Sequence, residues 1–259
     1  MRALQERVAP VTLSREHTRP VPDPLAPLFA VGGLPQGQVI GFTGAGSWSI
    51  ALALAGTALG EDGWLATVGV EDLGLLAAAE YGVRLDRLLL VTTPPADRLA
   101  ATVAALTEAV DLVALAPHRT LGHSQARRLA ATCRERGTNL LLLDGGRRWP
   151  LPTDLTITTT PERWEGIGQG HGHLQQRRLT VEAVGRRAAA RVRRITVLAP
   201  GPGGGVAPAA PVALTPVADP PTDTLAPVAD PLASDSPVGA SGSLLDTSVD
   251  TSVDTASVA

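Results

Sequence analysis

The chain has 259 residues, 44% hydrophobic but only 3% aromatic, so Leu, Val and Ala must fill the core of one large domain or two small ones. All 22 basic residues are arginine and Cys133 is the single cysteine, which excludes lysine chemistry, an internal disulfide and a cysteine-rich metal site. The net charge of −3 divides into −5 over residues 1–118, +9 over 119–194 and −7 over 195–259, a basic block followed by an acidic tail.

The first residues, "MRALQERVAP", have no apolar stretch of signal-peptide length. No window approaches the roughly 18 uninterrupted apolar residues of a membrane span, so a cytoplasmic protein that avoids the membrane is expected. Residues 1–23 read as an N-terminal extension. From there to residue 199, strand and helix patterns alternate. "QVIGFT" (38–43), "WLATVGV" (64–70), "RLLLVT" (87–92), "DLVALA" (111–116) and "NLLLLD" (139–144) are short apolar runs, the signature of strands buried on both faces of a parallel sheet.

Helical stretches lie between these strands. Residues 49–59 are rich in Ala and Leu. "DLGLLAAAEYG" (72–82) offers Asp72 as an N-cap, with Glu71 beside it favouring the helix dipole. "ADRLAATVAALTEA" (96–109) sets Leu99, Val103 and Leu106 on one face. "SQARRLAATCRERG" (124–137) buries Ala126, Leu129, Ala130 and Cys133 and stops at a glycine. The alternation predicts a doubly wound, mostly parallel α/β sheet with right-handed crossovers. From residue 153 the period changes to two. "DLTITTT" reads as a strand, and "RRLTVEAV" (177–184) with "RVRRITVLA" (191–199) as a hairpin linked by "GRRAAA", which adds antiparallel strands. "GQGHGHLQQ" (168–176) reads as a flexible loop, since His171 and His173 have no third ligand nearby. After residue 199 the composition turns to Pro, Ala, Gly and Asp, ending in a repeated "DTSV". Residues 200–259 are therefore expected to be a disordered tail.

The stretch "GAGSWSIALAL" (44–54) occupies the place of a phosphate loop, between a buried strand and a helix. Against the pattern G-x-x-x-x-G-K-[ST], Gly44 matches. The second glycine is Ser49, the lysine Ile50 and the Ser/Thr Ala51. What remains is a backbone-only anion site built from Gly44, Gly46, Ser47 and Ser49, or a plain strand-to-helix turn. No catalytic residue, metal or cofactor is expected, with weak ATP binding as the alternative.

Further stretches carry a family resemblance. "VGGLPQGQVIGFTG" resembles the entry to the core of the RecA recombinase family through Gly32, Gly33, Leu34, Pro35, Gly37 and Gly44. "EYGVRLDRLLLV" resembles a second family segment through Gly82, Val83, Asp86, Leu88 and Leu89. "AVDLVAL" resembles the strand that ends in the family's metal-binding Asp, and "SQARRLA" (124–130) a family helix. The resemblance spans residues 24–199 and implies a RecA-like core. Ala116 stands at the metal-binding Asp position, and the second DNA-contacting loop, after Asp144, shrinks to "GGRRWPLP". The chain thus looks like a degenerate paralog, similar to the ImuA-type (SulA/RecA-like) mutasome proteins of high-GC bacteria. That likeness implies a non-catalytic adaptor in the SOS response. Its implied partners are an ImuB-like Y-family polymerase homologue and an error-prone C-family DNA polymerase in translesion synthesis. An ATPase with an atypical loop and an SOS-controlled division inhibitor remain the alternatives.

Seven arginines crowd residues 177–194: Arg177, Arg178, Arg186, Arg187, Arg191, Arg193 and Arg194, with Glu182 as the only acid among them. Strand alternation puts Arg191 and Arg193 on one face. Arg147, Arg148 and Trp149 add a platform on which single-stranded bases could stack. The block suits single-stranded DNA, an acidic protein partner or a solvated sheet face.

Overall fold

The computed structural model describes residues 18–116, 121–143, 145–167, 172–186 and 191–209. Asp144, His171, Arg187, the side chain of His173 and nearly all of the expected tail lie outside them.

Among the described residues, eleven strands, four α-helices and two short 3-10 helices follow in chain order. β1 (Thr18–Arg19) pairs with β2 (Leu34–Pro35). β3 (Val39–Thr43) enters α1 (Ser47–Leu59), and β4 (Leu65–Val68) precedes α2 (Leu75–Glu80). β5 (Leu88–Val91) leads to α3 (Leu99–Ala109), and β6 (Leu112–Leu115) to α4 (His123–Arg136). β7 (Asn139–Leu142), β8 (Leu155–Ile167), β9 (Gly172–Gly185), β10 (Arg193–Leu198) and β11 (Ala207–Pro208) follow.

Nine strands form one mixed sheet in the order β11-β10-β9-β8-β3-β7-β6-β4-β5. Those from β8 to β5 in that order run parallel, and β9, β10 and β11 add antiparallel pairs. The chain moves outward from β3 through β4 to the β5 edge. It then returns through β6 and β7 and crosses β3 to reach β8. Right-handed crossovers place connections of opposite direction on opposite faces of the sheet. So α1 and α2 supply Ile50, Leu54 and Ala78 to one apolar cluster, while α3 and α4 supply Leu99, Val103 and Leu129 to the other. The crossover from β7 to β8 has no helix. Trp149 and Leu151 cover the second face in its place.

The strands alternate between these clusters. In β3, Val39 faces the second cluster and Ile40 and Phe42 the first; in β6, Leu112 and Ala114 face the first and Val113 and Leu115 the second. Each such fully buried Leu, Ile or Phe contributes about 1.5–3 kcal/mol through the water it excludes. α1 is apolar and buried nearly all round, sharing its cluster with Leu25, Leu28, Tyr81 and Val83. α4 buries Ala126, Leu129, Ala130 and Cys133, the stripe its sequence sets on one face.

Four expectations need correction. "RLLLVT" reads as a strand buried on both faces, but β5 is the sheet edge, and Leu90 is 55% exposed. Asp72 does not cap α2, which starts later, at Leu75, after Gly74. "GHLQQ" is not a loop but strand, paired with "PERWEGI". They extend β8 and β9 into one long hairpin, with register shifts between Pro161 and Arg163 and between Glu165 and Ile167. Those shifts absorb Pro161, which has no N–H to give to a ladder. Finally, ordered structure passes both expected core boundaries, to β1 on one side and β11 on the other. Arg19 in β1 is tied to Asp111 at 3.2 Å and donates to the carbonyl of Gly137. Among the described residues, no helix is long and apolar enough to cross a membrane.

Cys133 sits at 0% exposure, and burial pushes its thiol up to about 12. The native thiol is expected to resist iodoacetamide at pH 8, while urea-unfolded protein alkylates fully. The folded state also holds this proton longer than the unfolded one. Its contribution to stability is therefore intact below about pH 8.5 and lost as pH rises towards 12, which urea titrations of wild type and Cys133→Ala across that range will measure.

Candidate functional site: a glycine turn closed by an arginine

The connection from β3 to α1 is Gly44-Ala45-Gly46, with φ of 90° at Gly44 and 89° at Gly46. The helix has already begun at Ser47. A phosphate loop would need the chain to stay open through Ser49. Here Ser49, Ile50 and Ala51 all lie within α1, and Ile50 and Ala51 are 0% and 1% exposed. The side chain at the lysine position is thus part of the core. Ser47, at the first helical position, is also buried, and its N–H donates to the carbonyl of Gly44 at 3.2 Å.

Two strands hold the turn. A Cβ on Gly44 would lie 2.0 Å from the carbonyl oxygen of Thr159 in β8. The Thr159 hydroxyl donates to the carbonyl of Ala45 at 3.0 Å and to that of Thr43 at 3.3 Å. From β9, Arg177 reaches across the mouth of the turn. Its Nη2 donates to Ser49 Oγ at 3.2 Å and its Nε to the carbonyl of Ala199 at 3.2 Å. The guanidinium lies 5.0 Å from the ring centre of Trp164. A Cβ on Gly46 would lie 2.7 Å from Arg177 Nη2, so the arginine packs directly on the glycine. Tyr81 is buried beside this group. Burial raises its phenol above the ordinary value, with Ser49 and Arg177 close enough to oppose the shift.

At the position expected to hold a metal-binding acid, Ala116 follows β6 and its N–H donates to the carbonyl of Val68 at 3.0 Å. Among the described residues, no group of three His, Cys, Asp or Glu side chains is placed to hold a metal ion.

The basic block divides. Arg177 and Arg178 are neighbours in β9 and point to opposite faces. Arg178 is 8% exposed and lies 3.9 Å from Glu162 and 3.8 Å from Glu165 in β8. Arg194 donates to Glu182 at 3.1 Å, and Arg186 lies 3.8 Å from Asp154. The expectation of arginines opposed by one acid is therefore corrected, because cross-strand neighbours in β8 supply the missing carboxylates. Arg191 precedes β10, which begins at Arg193, so strand alternation does not tie the two to one face. Arg147 and Arg148 are exposed, but Trp149 is 7% exposed and packs in the core, so it offers no free face for stacking a base.

Sequence reasoning overlooked Arg177 as part of the turn, although its signal is present. Leu179, Val181 and Ala183 form the buried phase of β9. Counting back by two puts Arg177 on that same inward face.

Residues 27–151 match the family model of the MT3502 N-terminal domain. An uncharacterized protein of Mycobacterium tuberculosis, Rv3395c, is 38% identical over 113 residues, which cover 43% of this chain and 54% of that protein. The chain thus spans about half the length of the curated relative it matches. The matched family segment holds the glycine turn and all four helices and ends before β8, so it does not include Arg177.

Gly44→Ala adds a backbone clash to an unfavourable φ, and we expect it to cost more than about 3 kcal/mol or to abolish folding. Arg177→Ala removes two hydrogen bonds and the contact with Trp164, for about 2–3 kcal/mol. Arg177→Lys should recover only part of that loss, because one ammonium cannot reproduce the fork that spans Ser49 and Ala199. Urea titrations of the three variants check both values. Arg177→Ala with wild-type stability would leave the arginine no part in closing the turn.

Proposed function

We propose that this chain is a non-catalytic adaptor with a RecA-like core. In this reading it serves the DNA damage response beside an ImuB-like Y-family polymerase homologue and an error-prone C-family polymerase. The observation that carries the non-catalytic part is the glycine turn. The helix begins at Ser47, Ile50 is buried where the pattern needs a lysine, and Arg177 occupies the mouth. A nucleotide loop works through free N–H groups and a cation directed at the outer phosphates. Here Arg177, the cation at the mouth, already donates to Ser49 and to the carbonyl of Ala199.

The RecA-like part draws support from the mixed sheet, with its glycine turn at the end of a central strand and helices on both faces. The polymerase partners rest on the family resemblance of the sequence motifs alone. Stacking of single-stranded DNA on Trp149 loses support with that ring buried, so protein contact becomes the favoured use of the surface.

Purified protein is expected to hydrolyse ATP no faster than a buffer control, with or without single-stranded DNA, and to copurify with a coexpressed ImuB-like protein. DNA-stimulated hydrolysis would sink the non-catalytic reading, and failure to copurify would sink the adaptor assignment.

A further inference from the structure

Cross-strand pairing takes up several of the arginines that crowd the sequence, but two of that block, Arg186 and Arg193, gather with Arg127 and Arg134 of α4. Near the starts of β3, β8 and β10, two cavities of about 520 and 400 Å³ share Arg134, Asp154 and Arg186 in their walls and form one groove. One wall is a stripe on α4, with Arg127, Ala130 and Arg134 at positions i, i+3 and i+7. This stripe runs for about 10 Å along the helix. The other wall is the crossover between β7 and β8, which contributes Leu151 and Pro152, with Leu155 at the start of β8. Leu28, Phe29 and Val31 close one end, with Arg193 beside them.

Four arginines therefore face one acid. Asp154 is already engaged, since one carboxylate oxygen accepts the N–H of Val39 at 3.0 Å and the other lies 3.8 Å from Arg186. No salt bridge to Arg127, Arg134 or Arg193 is formed among the described residues. The aromatic rings in the walls, Phe29 and Trp149, are 6% and 7% exposed, so neither offers the open face that a nucleic-acid base needs. Apolar walls with guanidinium groups along both sides instead suit a chain that alternates apolar and acidic side chains. An extended peptide advances about 3.3 Å per residue, so three or four residues would span the stripe.

We propose that this groove binds an acidic, leucine- or valine-bearing segment of a partner protein in extended form, with Arg127 and Arg134 on one side and Arg186 and Arg193 on the other. This goes beyond the adaptor reading and holds whatever the glycine turn does. Arg134 is exposed and Arg193 half-buried, and replacing both leaves the apolar clusters untouched.

The test is selection from a random twelve-residue peptide library on the full chain, followed by fluorescence anisotropy with the enriched peptides. Enriched peptides are expected to combine Asp or Glu with Leu, Val or Ile. They should bind at least about tenfold more weakly to the Arg134→Glu, Arg193→Glu double variant. They should also weaken several-fold between 0.05 and 0.5 M salt. A thermal melt of the double variant must match wild type; if it does not, Arg127→Glu, an exposed position of α4, takes its place. No enrichment, enrichment of basic peptides, equal binding to the charge-reversed variants, or displacement of bound peptide by a twenty-residue oligothymidylate each overturns the proposal.

Discussion

The carbonyl of Thr159 lies where a side chain at residue 44 would have to be. That close approach lets β8 run beside β3 while the chain turns sharply into α1, and it accepts only a residue that lacks a Cβ and tolerates a φ of 90°. The rest of the site follows from it. With β8 against the turn, its long antiparallel partner β9 is carried across the end of the sheet, and Arg177 is brought over Gly46. The glycines that read as a phosphate cradle thus serve as a joint between the parallel sheet and its antiparallel extension. In the proposed reading the same geometry disfavours anion binding, since a guanidinium and a buried isoleucine stand where a phosphate would need open space and a directed cation.

Charge follows the same logic of strand neighbours. A count along the sequence sees arginines 177–194 opposed by Glu182, whereas in space Glu162, Glu165 and Asp154 come from β8 and the residue just before it. Each of the more exposed pairs contributes little to stability, about 0–1 kcal/mol, but together they lower the positive potential of that face. Among the described residues, Arg127 and Arg134 on α4 and Arg193 at the start of β10 form no such pair, and apolar walls accompany them. The basic surface has moved from the hairpin to the groove.

Much of the fold was legible because it rests on local pattern. The five strands from β3 to β7 are short, nearly continuous apolar runs, and four of them, β3, β4, β6 and β7, are buried. α4 carries its buried stripe at helical spacing, and Gly137 with φ of 72° ends it. What failed depended on distance in sequence. Nothing within "RLLLVT" says that it will be an edge, since edge position is a property of the whole strand order. "GHLQQ" sits in a stretch that reads as a loop by its glycines, and only pairing with "PERWEGI" in β8 makes it a strand. At the site, the losses at Ile50 and Ala51 could be read directly. The shortening of the turn by an early helix start could not, nor could the burial of Trp149. Arg177 lay between these cases. Its inward phase was available by counting along β9, but its target, 128 residues away, was not.

In the proposed reading the glycine turn is a closed joint with no nucleotide function. The most direct measurement follows the backbone amide resonances of Gly44, Gly46 and Ser49, together with the Arg177 side-chain Nε–H, by nuclear magnetic resonance during a titration with magnesium ATP. The predicted result is no saturable movement of any of these signals at millimolar nucleotide, and an Arg177 Nε–H slow to exchange because it is bound to the carbonyl of Ala199. Saturable shifts confined to Gly44, Gly46 and Ser49, with release of the Arg177 Nε–H, would contradict it.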